Sequence, residues 1–399
     1  MDLAMFGNDS PGELVRITGS DPVTGSWDHR AFVPEPLSHD GPTLSTPTWR
    51  AVSEARAALA ALDSTAQRLP NPTLLRNPTL RKEAQSTSAL EGTYAPLAEV
   101  LTADDEEPGS ADMREILNYV RMANHAFAWV GEGRPLTPSF LSDLQGLLMI
   151  GTPLQSVSGR LRDEQVVIGL RAGGDPALPP VKNARFVPTP PGPGLEGSMQ
   201  QLVDWMSADH SAAIDPVVGA AMTHYQFETL HPFRDGNGRL GRLLVVLDLY
   251  GSGVLTEPTL TVSPWFEARR GDYYDRLLAV STEGDWDGFV RFFAQGLRGS
   301  ADLTHRQMLA LVDVQRELKE IVKASPLRAD SAQSLVDFAV ANTSFTVRQV
   351  QKGLQVSYGR ANTLVGQLSD LGILAEVAAS GLQRRFHAPR VLNVLVASS

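Results

Sequence analysis

A base, a carboxylate, three glycines and three arginines lie close together in residues 231–242. His231 can accept a proton near neutral pH, and Asp235 offers the hard oxygen ligand that a magnesium ion takes beside phosphate groups. Arg239 and Arg242 stand at positions i and i+3, so on a helix they would share one face and could hold successive phosphates. These residue types at this spacing predict a site for phosphoryl-type transfer.

Two predicted helices would position this site. Asp215 followed by Pro216 is a typical helix start, and apolar residues recur at helical spacing from there to Tyr225. Residues 240–250 are apolar on almost every side, which predicts a second helix that is buried among others. The Gly-Asn-Gly stretch would fall at the N-terminus of that second helix, where backbone N–H groups and the helix dipole attract anions.

The run also resembles a known signature. Residues 231–242 read His-Pro-Phe-Arg-Asp-Gly-Asn-Gly-Arg-Leu-Gly-Arg. This is similar, at every fixed position, to His-x-Phe-x-Asp/Glu-Gly-Asn-Gly-Arg-x-x-Arg of the Fic (filamentation induced by cAMP) family. The sequences His-Tyr-Gln-Phe-Glu at 224–228, Tyr-Tyr at 273–274 and Ala-Phe-Val-Pro at 31–34 extend the resemblance, which covers most of the chain.

The resemblance implies transfer of AMP from ATP to a serine, threonine or tyrosine hydroxyl, on a target protein or on the chain itself. It makes His231 the catalytic base and Asp235 the ligand of a Mg²⁺ ion on the α- and β-phosphates, while Phe233 fixes the loop. The residues implied in nucleotide binding are Gly236, Asn237 and Gly238 at the α-phosphate, Arg239 and Arg242 at the β- and γ-phosphates, Gly241, and Tyr273 at the base.

Other donors and another class of function stay open at this point. Some relatives transfer UMP, phosphocholine or phosphate, and the unbroken Gly-Asn-Gly stretch favours AMP. The alternative to an enzyme is a DNA-binding regulator that senses nucleotide and has little transferase activity. The intact His231 and Asp235 favour the enzyme, because a sensor needs neither a base nor a metal ligand.

A second motif lies upstream. Residues 86–92 read Ser-Thr-Ser-Ala-Leu-Glu-Gly, which resembles the family's inhibitory motif Ser/Thr-x-x-x-Glu-Gly with Thr87, Glu91 and Gly92 in the fixed places. The resemblance implies that Glu91 pairs with Arg242 and competes there with ATP, so that the enzyme is autoinhibited. The alternative is a plain helix end with glycine at the stop, and both interpretations can hold together.

Composition excludes several classes of protein. Hydrophobic residues make up 42% of the 399 residues and charged residues 20%, as in globular proteins. A formal net charge of −10 argues against a general polyanion binder, and the absence of cysteine excludes disulfides and thiolate chemistry. The start lacks a signal-peptide pattern, and no run approaches the roughly 18 apolar residues of a membrane span. We therefore expect a cytoplasmic protein without a membrane partner.

The predicted fold class is mainly α: a Fic-type helical bundle with a β-hairpin flap, plus a C-terminal winged helix-turn-helix domain. An irregular arm is expected before residue 47, and helices are expected over 49–69, 81–101, 113–130 and 137–149. The predicted domains are 1–110 (arm and helical region with the inhibitory motif), 111–300 (Fic catalytic domain), 301–325 (linker helix) and 326–399 (winged helix).

Strand-like runs at 165–169 and 184–188 predict a hairpin between the helices. By resemblance this hairpin is a flap, and the target protein docks by adding a strand to its edge. Arg162 matches a recurring family arginine, and the sequence leaves its role open.

The C-terminal region reads as helices over 331–339, 347–354 and 360–371, then strand-like runs at 373–377 and 384–387 around a Ser380-Gly381 turn. Its basic residues outnumber its acidic residues, Asp370 and Glu376, and contact with DNA is therefore one interpretation of this region. Protein docking and a homodimer are equally open. The basic residues are Arg348, Lys352, Arg360, Arg384, Arg385 and Arg390.

Overall fold

A computed structural model describes residues 1–68, 73–104, 108–171, 173–175, 177–327, 330–377 and 384–397. It divides into two compact units. The first unit comprises Met1–Arg56, Arg121–Val254 and Ala268–Leu297, and the second comprises Ala57–Val120, Leu255–Glu267 and Arg298–Ser399. Helices predominate, which confirms the mainly α class, and among the described residues no helix is long and apolar enough to cross a membrane. The four predicted domains, with the three boundaries between them, stay predictions.

The elements are numbered in chain order. The helices are α1 (Thr46–Arg68), α2 (Thr73–Leu90), α3 (Leu97–Thr102), α4 (Ala111–Gly131), α5 (Pro138–Leu148), α6 (Pro180–Asn183), α7 (Pro193–Ser207), α8 (Pro216–Leu230), α9 (Asn237–Gly251), α10 (Ser263–Glu267), α11 (Arg270–Glu283), α12 (Trp286–Ala324), α13 (Asp330–Ala341), α14 (Val347–Gly353), α15 (Tyr358–Asp370) and α16 (Pro389–Ala397). The strands are β1 (Gly12–Asp21), β2 (Gly25–Pro34), β3 (Ile168–Leu170), β4 (Ala184–Phe186), β5 (Phe345–Thr346), β6 (Ala375–Glu376) and β7 (Arg385–His387).

Helices α8 and α9 form the centre of the first unit and pack along each other. The carboxylate of Asp215 caps α8 by accepting from the Val217 N–H at 2.8 Å, with Pro216 in the first turn. Nearly every residue of α9 is buried, as its apolar sequence requires. The two helices predicted to flank the motif are therefore confirmed.

The expected irregular arm is instead a β-hairpin, so that prediction was wrong. Strands β1 and β2 pair antiparallel from Gly12↔Pro34 to Asp21↔Gly25. The Asp21 carboxylate closes the turn by accepting from the Thr24 N–H at 2.8 Å. Phe32 is fully buried in a cluster that includes residues far along the chain. The hairpin gains its stability from those distant residues, which a local reading of glycine and proline does not see.

The two short strands predicted around residue 168 do pair antiparallel, with Ile168 opposite Phe186 and Leu170 opposite Ala184. They are shorter than predicted. Strand β4 stops before Pro188, which has no N–H to continue the ladder. Phe186 packs edge-on against Phe32 with ring centroids 5.8 Å apart, so this sheet shares the hydrophobic cluster of the first hairpin.

In the second unit, α2 packs against α10 and α13. The buried carboxylate of Glu83 accepts from the backbone N–H and the hydroxyl of Ser263, at the start of α10. The predicted helix over 81–101 is divided in the structure, because α2 ends at Leu90 and α3 starts at Leu97. Gly92 lies between them at φ 94°, a conformation that stops a helix and favours glycine.

The C-terminal region holds helices α13, α14 and α15 and a three-stranded antiparallel sheet of order β5-β7-β6, in which β5 lies between α13 and α14 in sequence. The hydroxyl of Thr346 accepts from the Gln349 N–H in a capping box at the start of α14, where a helix over 347–354 is predicted. Strand β5 and helix α16 were not predicted, and the predicted linker helix is part of the longer α12. The predicted Ser380-Gly381 turn lies outside the described residues.

Candidate active site

His231 occupies the position where α8 ends. Its backbone is left-handed, with φ 49° and ψ 59°, and its N–H donates to the Phe227 carbonyl at 3.0 Å. Glycine is the usual residue at such a helix end, and a bulkier residue costs about 1–3 kcal/mol that its surroundings must offset. The imidazole Nδ1 lies 3.3 Å from the Glu228 carbonyl oxygen. That acceptor favours a proton on Nδ1, which places the basic lone pair on Nε2.

The loop after His231 is held by one side chain. Asn237, 1% exposed, accepts from the Phe233 N–H at 2.9 Å and donates to the Phe233 carbonyl at 2.8 Å. Phe233 itself is fully buried, in its predicted role of anchoring the loop. The oxygen and one N–H of the Asn237 amide are therefore used to hold the loop.

Gly236 is required by the loop geometry. It caps α9 at φ 82°, and a Cβ atom there would lie 2.7 Å from Leu148 Cδ2 and 2.8 Å from Met149 Cε. The N–H groups of the first turn of α9 follow directly. The Gly-Asn-Gly stretch thus lies at the start of α9, as predicted, and anion binding there stays a prediction.

Asp235 lies beside this helix start. Its Oδ1 accepts from the Gly236 N–H at 2.6 Å and from Arg239 at 3.2 Å. The Asp235 side chain is 43% exposed, whereas Arg239 is 1% exposed. The carboxylate is thus fixed by one oxygen and accessible to solvent, as a ligand for an incoming cation must be.

Gly241 has a packing role that the nucleotide-binding prediction missed. A Cβ atom there would lie 2.3 Å from Glu228 Oε1 and 3.1 Å from Phe227 Cδ1, both on α8. The missing side chain therefore lets α8 and α9 approach closely. Gly241 thus acts on the site indirectly, because it allows the close packing of the two helices that flank the motif loop.

Behind Arg242 lies a buried chain of hydrogen bonds. His224 Nδ1 lies 3.1 Å from the Gly241 carbonyl oxygen, and His224 Nε2 lies 2.7 Å from the Tyr273 hydroxyl. Burial lowers the pKa of His224 to about 3, with the nearby Arg242 adding to the effect. The ring is therefore neutral, with the proton on Nδ1, so Tyr273 donates to Nε2 and its oxygen accepts from Arg242.

This network corrects the prediction for Tyr273. Its ring is 1% exposed and its hydroxyl is engaged with His224 and Arg242, so it is not placed to stack on a nucleotide base. Burial raises the pKa of its hydroxyl well above the usual value. The neighbouring Tyr274 is the less buried of the pair. Tyr273 acts here as a support for Arg242.

We expect Tyr273→Phe to lower the free energy of unfolding by about 1–3 kcal/mol, because His224 Nε2 and the Arg242 guanidinium each lose a buried partner. Urea unfolding followed by circular dichroism measures this loss. Tyr358→Phe is the matched control, since Tyr358 is 52% exposed. Equal stability of the two variants would contradict the assigned network.

The inhibitory motif belongs to the second unit. Thr87 is fully buried within α2, and Glu91 is exposed directly after the helix ends. The N–H of Gly92 donates to the Ala89 carbonyl at 3.1 Å and that of Thr93 to the Ser88 carbonyl at 3.0 Å. The helix-end reading is thus confirmed, and pairing of Glu91 with Arg242 stays a prediction.

Three of the six basic residues counted in the C-terminal region have acidic partners. Arg384 lies 2.7 Å from Glu376, and Arg390 lies 3.1 Å from Glu317. Arg385 is 7% exposed and lies 2.6 Å from Asp104. The positive charge counted from the sequence is therefore reduced by partners that lie in part outside the region.

Gln145 is a site residue that the sequence analysis missed. It is 2% exposed on α5 and donates to the Asp235 carbonyl at 3.1 Å, while its oxygen accepts from the Gly159 N–H at 2.6 Å. It thereby braces the loop that carries Asp235. The available signal was an amide on the apolar face formed by Leu141, Leu144 and Leu148.

Comparisons with known proteins agree with this geometry. Residues 49–128 match the model of the Fic/DOC family N-terminal domain and residues 135–249 match that of the Fic/DOC family. A protein named protein adenylyltransferase Fic from Drosophila willistoni is 39% identical over 115 residues, which cover 29% of this chain and 22% of that protein. Its counterpart from Drosophila virilis is 34% identical over 154 residues, covering 37% and 30%. The chain thus spans less than a third of either relative.

A similar fold is found in the crystal structure of a Fic family protein from Desulfovibrio desulfuricans G20. The TM-score is 0.54 at 21% identity, covering 87% of this chain and 97% of that one. The similarity therefore extends over most of the chain at the level of the fold. With both family models matched and the motif residues assembled at the start of α9, residues 49–128 and 135–249 are identified as domains of the Fic/DOC family.

Proposed function

We propose that this protein is an adenylyltransferase that moves AMP from ATP to a serine, threonine or tyrosine hydroxyl of a protein. The observation that carries the proposal is the placement of His231 directly before a glycine-lined helix start. Its Nδ1 faces the Glu228 carbonyl, so Nε2 holds the basic lone pair. A base next to a phosphate-binding helix start is the arrangement that hydroxyl attack on a phosphate needs.

The proposed reaction is a displacement at the α-phosphorus of ATP. The hydroxyl oxygen attacks the α-phosphorus of ATP, the bond from that phosphorus to the bridging oxygen breaks, and pyrophosphate leaves. Nε2 of His231 takes the hydroxyl proton. The N–H groups of Gly236, Asn237 and Gly238 would hold the α-phosphate, and Arg239 and Arg242 the β- and γ-phosphates. Such transfer depends mostly on positioning and on charge stabilisation.

The site offers one carboxylate, that of Asp235, as a ligand for a magnesium ion. Among the described residues, no group of three or more acidic or histidine side chains could hold a metal by itself. Mg²⁺ beside nucleotides typically takes one or two carboxylates, with phosphate oxygens and waters for the rest. Asp235, accessible and fixed through Oδ1, would be that ligand, and the ion would neutralise charge on the phosphates.

The sheet of β3 and β4 is the proposed docking site for the target. Leu170 on β3 is 75% exposed, and among the residues that the structure describes β3 pairs with β4 alone. An extended segment of the target could add to the free edge through main-chain hydrogen bonds, with little demand on its sequence. A segment of the chain itself could do the same, which would give self-modification.

Autoinhibition by Glu91 is part of the proposal. Its carboxylate would pair with Arg242 and so compete with the γ-phosphate of ATP for that guanidinium. Charge-assisted pairs are strong enough to oppose binding and weak enough to be released.

The C-terminal module of α13–α15 and the β5-β7-β6 sheet would be a winged helix. A DNA-binding regulator is the less favoured alternative, because Arg384, Arg385 and Arg390 already have carboxylate partners. Phosphate contacts drive affinity for DNA, and paired arginines contribute less to it. Contact with protein, including a second copy of the chain, needs no such excess of charge.

Parallel incubations with ATP labelled on the α- or the γ-phosphate test the proposal. We expect α-label on protein with a mass increase of one AMP, and no γ-label, because pyrophosphate leaves with the γ-phosphate. The Glu91→Gly variant is the enzyme of choice, with a cell extract as the source of target. Incorporation of γ-label would point to phosphate transfer, and bound ATP without any label would favour the nucleotide-sensing regulator.

A further inference from the structure

Arg162 is the most completely buried charged side chain near His231 that the proposed chemistry does not use. It is 3% exposed, and no Asp or Glu oxygen among the described residues lies within 4.0 Å of it in an ion pair. Burial lowers its pKa to about 10, so it still carries its charge at neutral pH. A buried cation without a carboxylate must be stabilised by other acceptors.

Those acceptors are the carbonyl groups at the end of α8. Arg162 Nε donates to the His231 carbonyl at 2.8 Å, a terminal nitrogen donates to the Leu230 carbonyl at 3.3 Å, and the Arg162 backbone N–H donates to the Pro232 carbonyl at 2.9 Å. Three consecutive carbonyls are therefore held by one residue. A positive charge is favourable at this end of a helix.

The remaining donors of Arg162 reach the hairpin. One terminal nitrogen donates to the Glu164 carbonyl at 3.1 Å, just before β3, and the other donates to the Thr189 carbonyl, just after β4. The next residue, Asp163, lies 2.7 Å from Arg234 in the catalytic loop. Residues 162–164 thus join both ends of the hairpin to the loop of the proposed base.

We propose that Arg162 is the positioning residue of His231, holding its backbone left-handed and joining it to both ends of the β3–β4 hairpin. Glycine adopts a left-handed conformation readily, and histidine does not. Arg162 fixes the peptide groups on both sides of His231 and so holds it in that conformation. The direction of the imidazole follows from that backbone. The activity readout of this inference rests on the proposed AMP transfer.

The test uses the full chain in the Glu91→Gly background, with Arg162→Ala and Arg162→Lys. We expect Arg162→Ala to lower kcat by about 10²-fold, the effect of misplacing a catalytic group by about 1 Å. The Kd for ATP should change by less than about threefold, since Arg162 contacts His231, the proposed general base, and not the residues proposed to bind phosphate. Guanidinium at millimolar concentration should restore part of kcat, and Arg162→Lys, which keeps the charge without the planar fork, should be intermediate.

Arg160→Ala is the matched control, because Arg160 is exposed two residues away and should leave kcat unchanged. A second readout needs no activity: in protein labelled with ¹³C at histidine Cε1, the signal of His231 is identified by its loss in His231→Ala. In Arg162→Ala that signal should shift or split as the ring samples other poses, and guanidinium should reverse the change. If Arg162→Ala does not fold, Arg162→Lys supports the same two measurements.

Equal losses in kcat and in ATP affinity, with no rescue and an unchanged His231 signal, would overturn the positioning role. An unchanged kcat would overturn it as well. If the Glu91→Gly parent transfers no AMP, the proposed function fails instead, and the His231 signal still decides the role of Arg162.

Discussion

Replacing His231 by alanine is expected to lower the rate of AMP transfer by roughly 10²- to 10⁴-fold, the usual contribution of a general base. The affinity for ATP should stay within about threefold, because the proposed phosphate contacts belong to the start of α9 and to the two arginines. His231 Nδ1 is directed at the Glu228 carbonyl, so Nε2 would be the atom that accepts the proton of the attacking hydroxyl. The substitution thus removes the proton acceptor and leaves the proposed phosphate-binding residues intact.

The measurement is incorporation of α-labelled AMP in the Glu91→Gly background, together with ATP binding by calorimetry. His39→Ala serves as the control, because His39 is exposed and lies in the segment after β2. Undiminished labelling of the His231 variant would rule out this histidine as the base. Loss of both ATP binding and AMP transfer would instead place His231 in the nucleotide-binding site.

Local signals were enough to predict the framework of the site. Asp215 and Pro216 start α8, and Thr346 caps α14, where the sequence analysis predicts these starts. Each depends on a side chain within a few residues of the helix it caps. The apolar run of α9 likewise predicts its own burial, so the two central helices could be placed without knowledge of the rest of the chain.

Long-range contacts account for what the sequence analysis missed. Phe32 and Phe186 belong to one cluster although the chain between them is long, so the hairpin of β1 and β2 carries no strong local signal. Tyr273 is drawn inward by a hydrogen bond to His224 on another helix. Contacts of this kind depend on the assembled fold and cannot be predicted from helical spacing alone.

Two residues of the motif have roles that the phosphate-site interpretation hides. The Asn237 side chain locks the loop through Phe233, and Gly241 makes room for α8. A motif read only as a set of ligand contacts assigns both of them to the nucleotide. The structure indicates that part of the motif builds the loop, so that the remaining residues can bind and react.

The inhibitory motif leads to the second large effect. Glu91→Gly is expected to raise AMP transfer about tenfold or more, since a hydrogen bond between charged groups contributes about 1.5–3 kcal/mol. The physical reason is the release of Arg242, the proposed partner of the γ-phosphate, from the competing carboxylate. Glu91 follows the end of α2 and precedes a glycine at φ 94°, so the substitution should cost the helix little.

The chain offers a close control for this change. Glu283 is the last residue of α11 and precedes Gly284, which has φ 69°. Glu283→Gly therefore makes the same substitution at the same kind of helix end, in an element without the inhibitory motif. Any gain that came from a loosened helix end in general should appear in both variants.

Glu91→Gln separates charge from shape. If the carboxylate acts by its charge on Arg242, the glutamine variant should gain much of the activity of the glycine variant, because a neutral amide holds a guanidinium less strongly. If Glu91 acts by filling space, the glutamine variant should remain as inactive as wild type. Initial rates of α-label incorporation at several ATP concentrations distinguish these outcomes. A glycine variant with no gain over wild type, and no more than Glu283→Gly, would refute autoinhibition by Glu91.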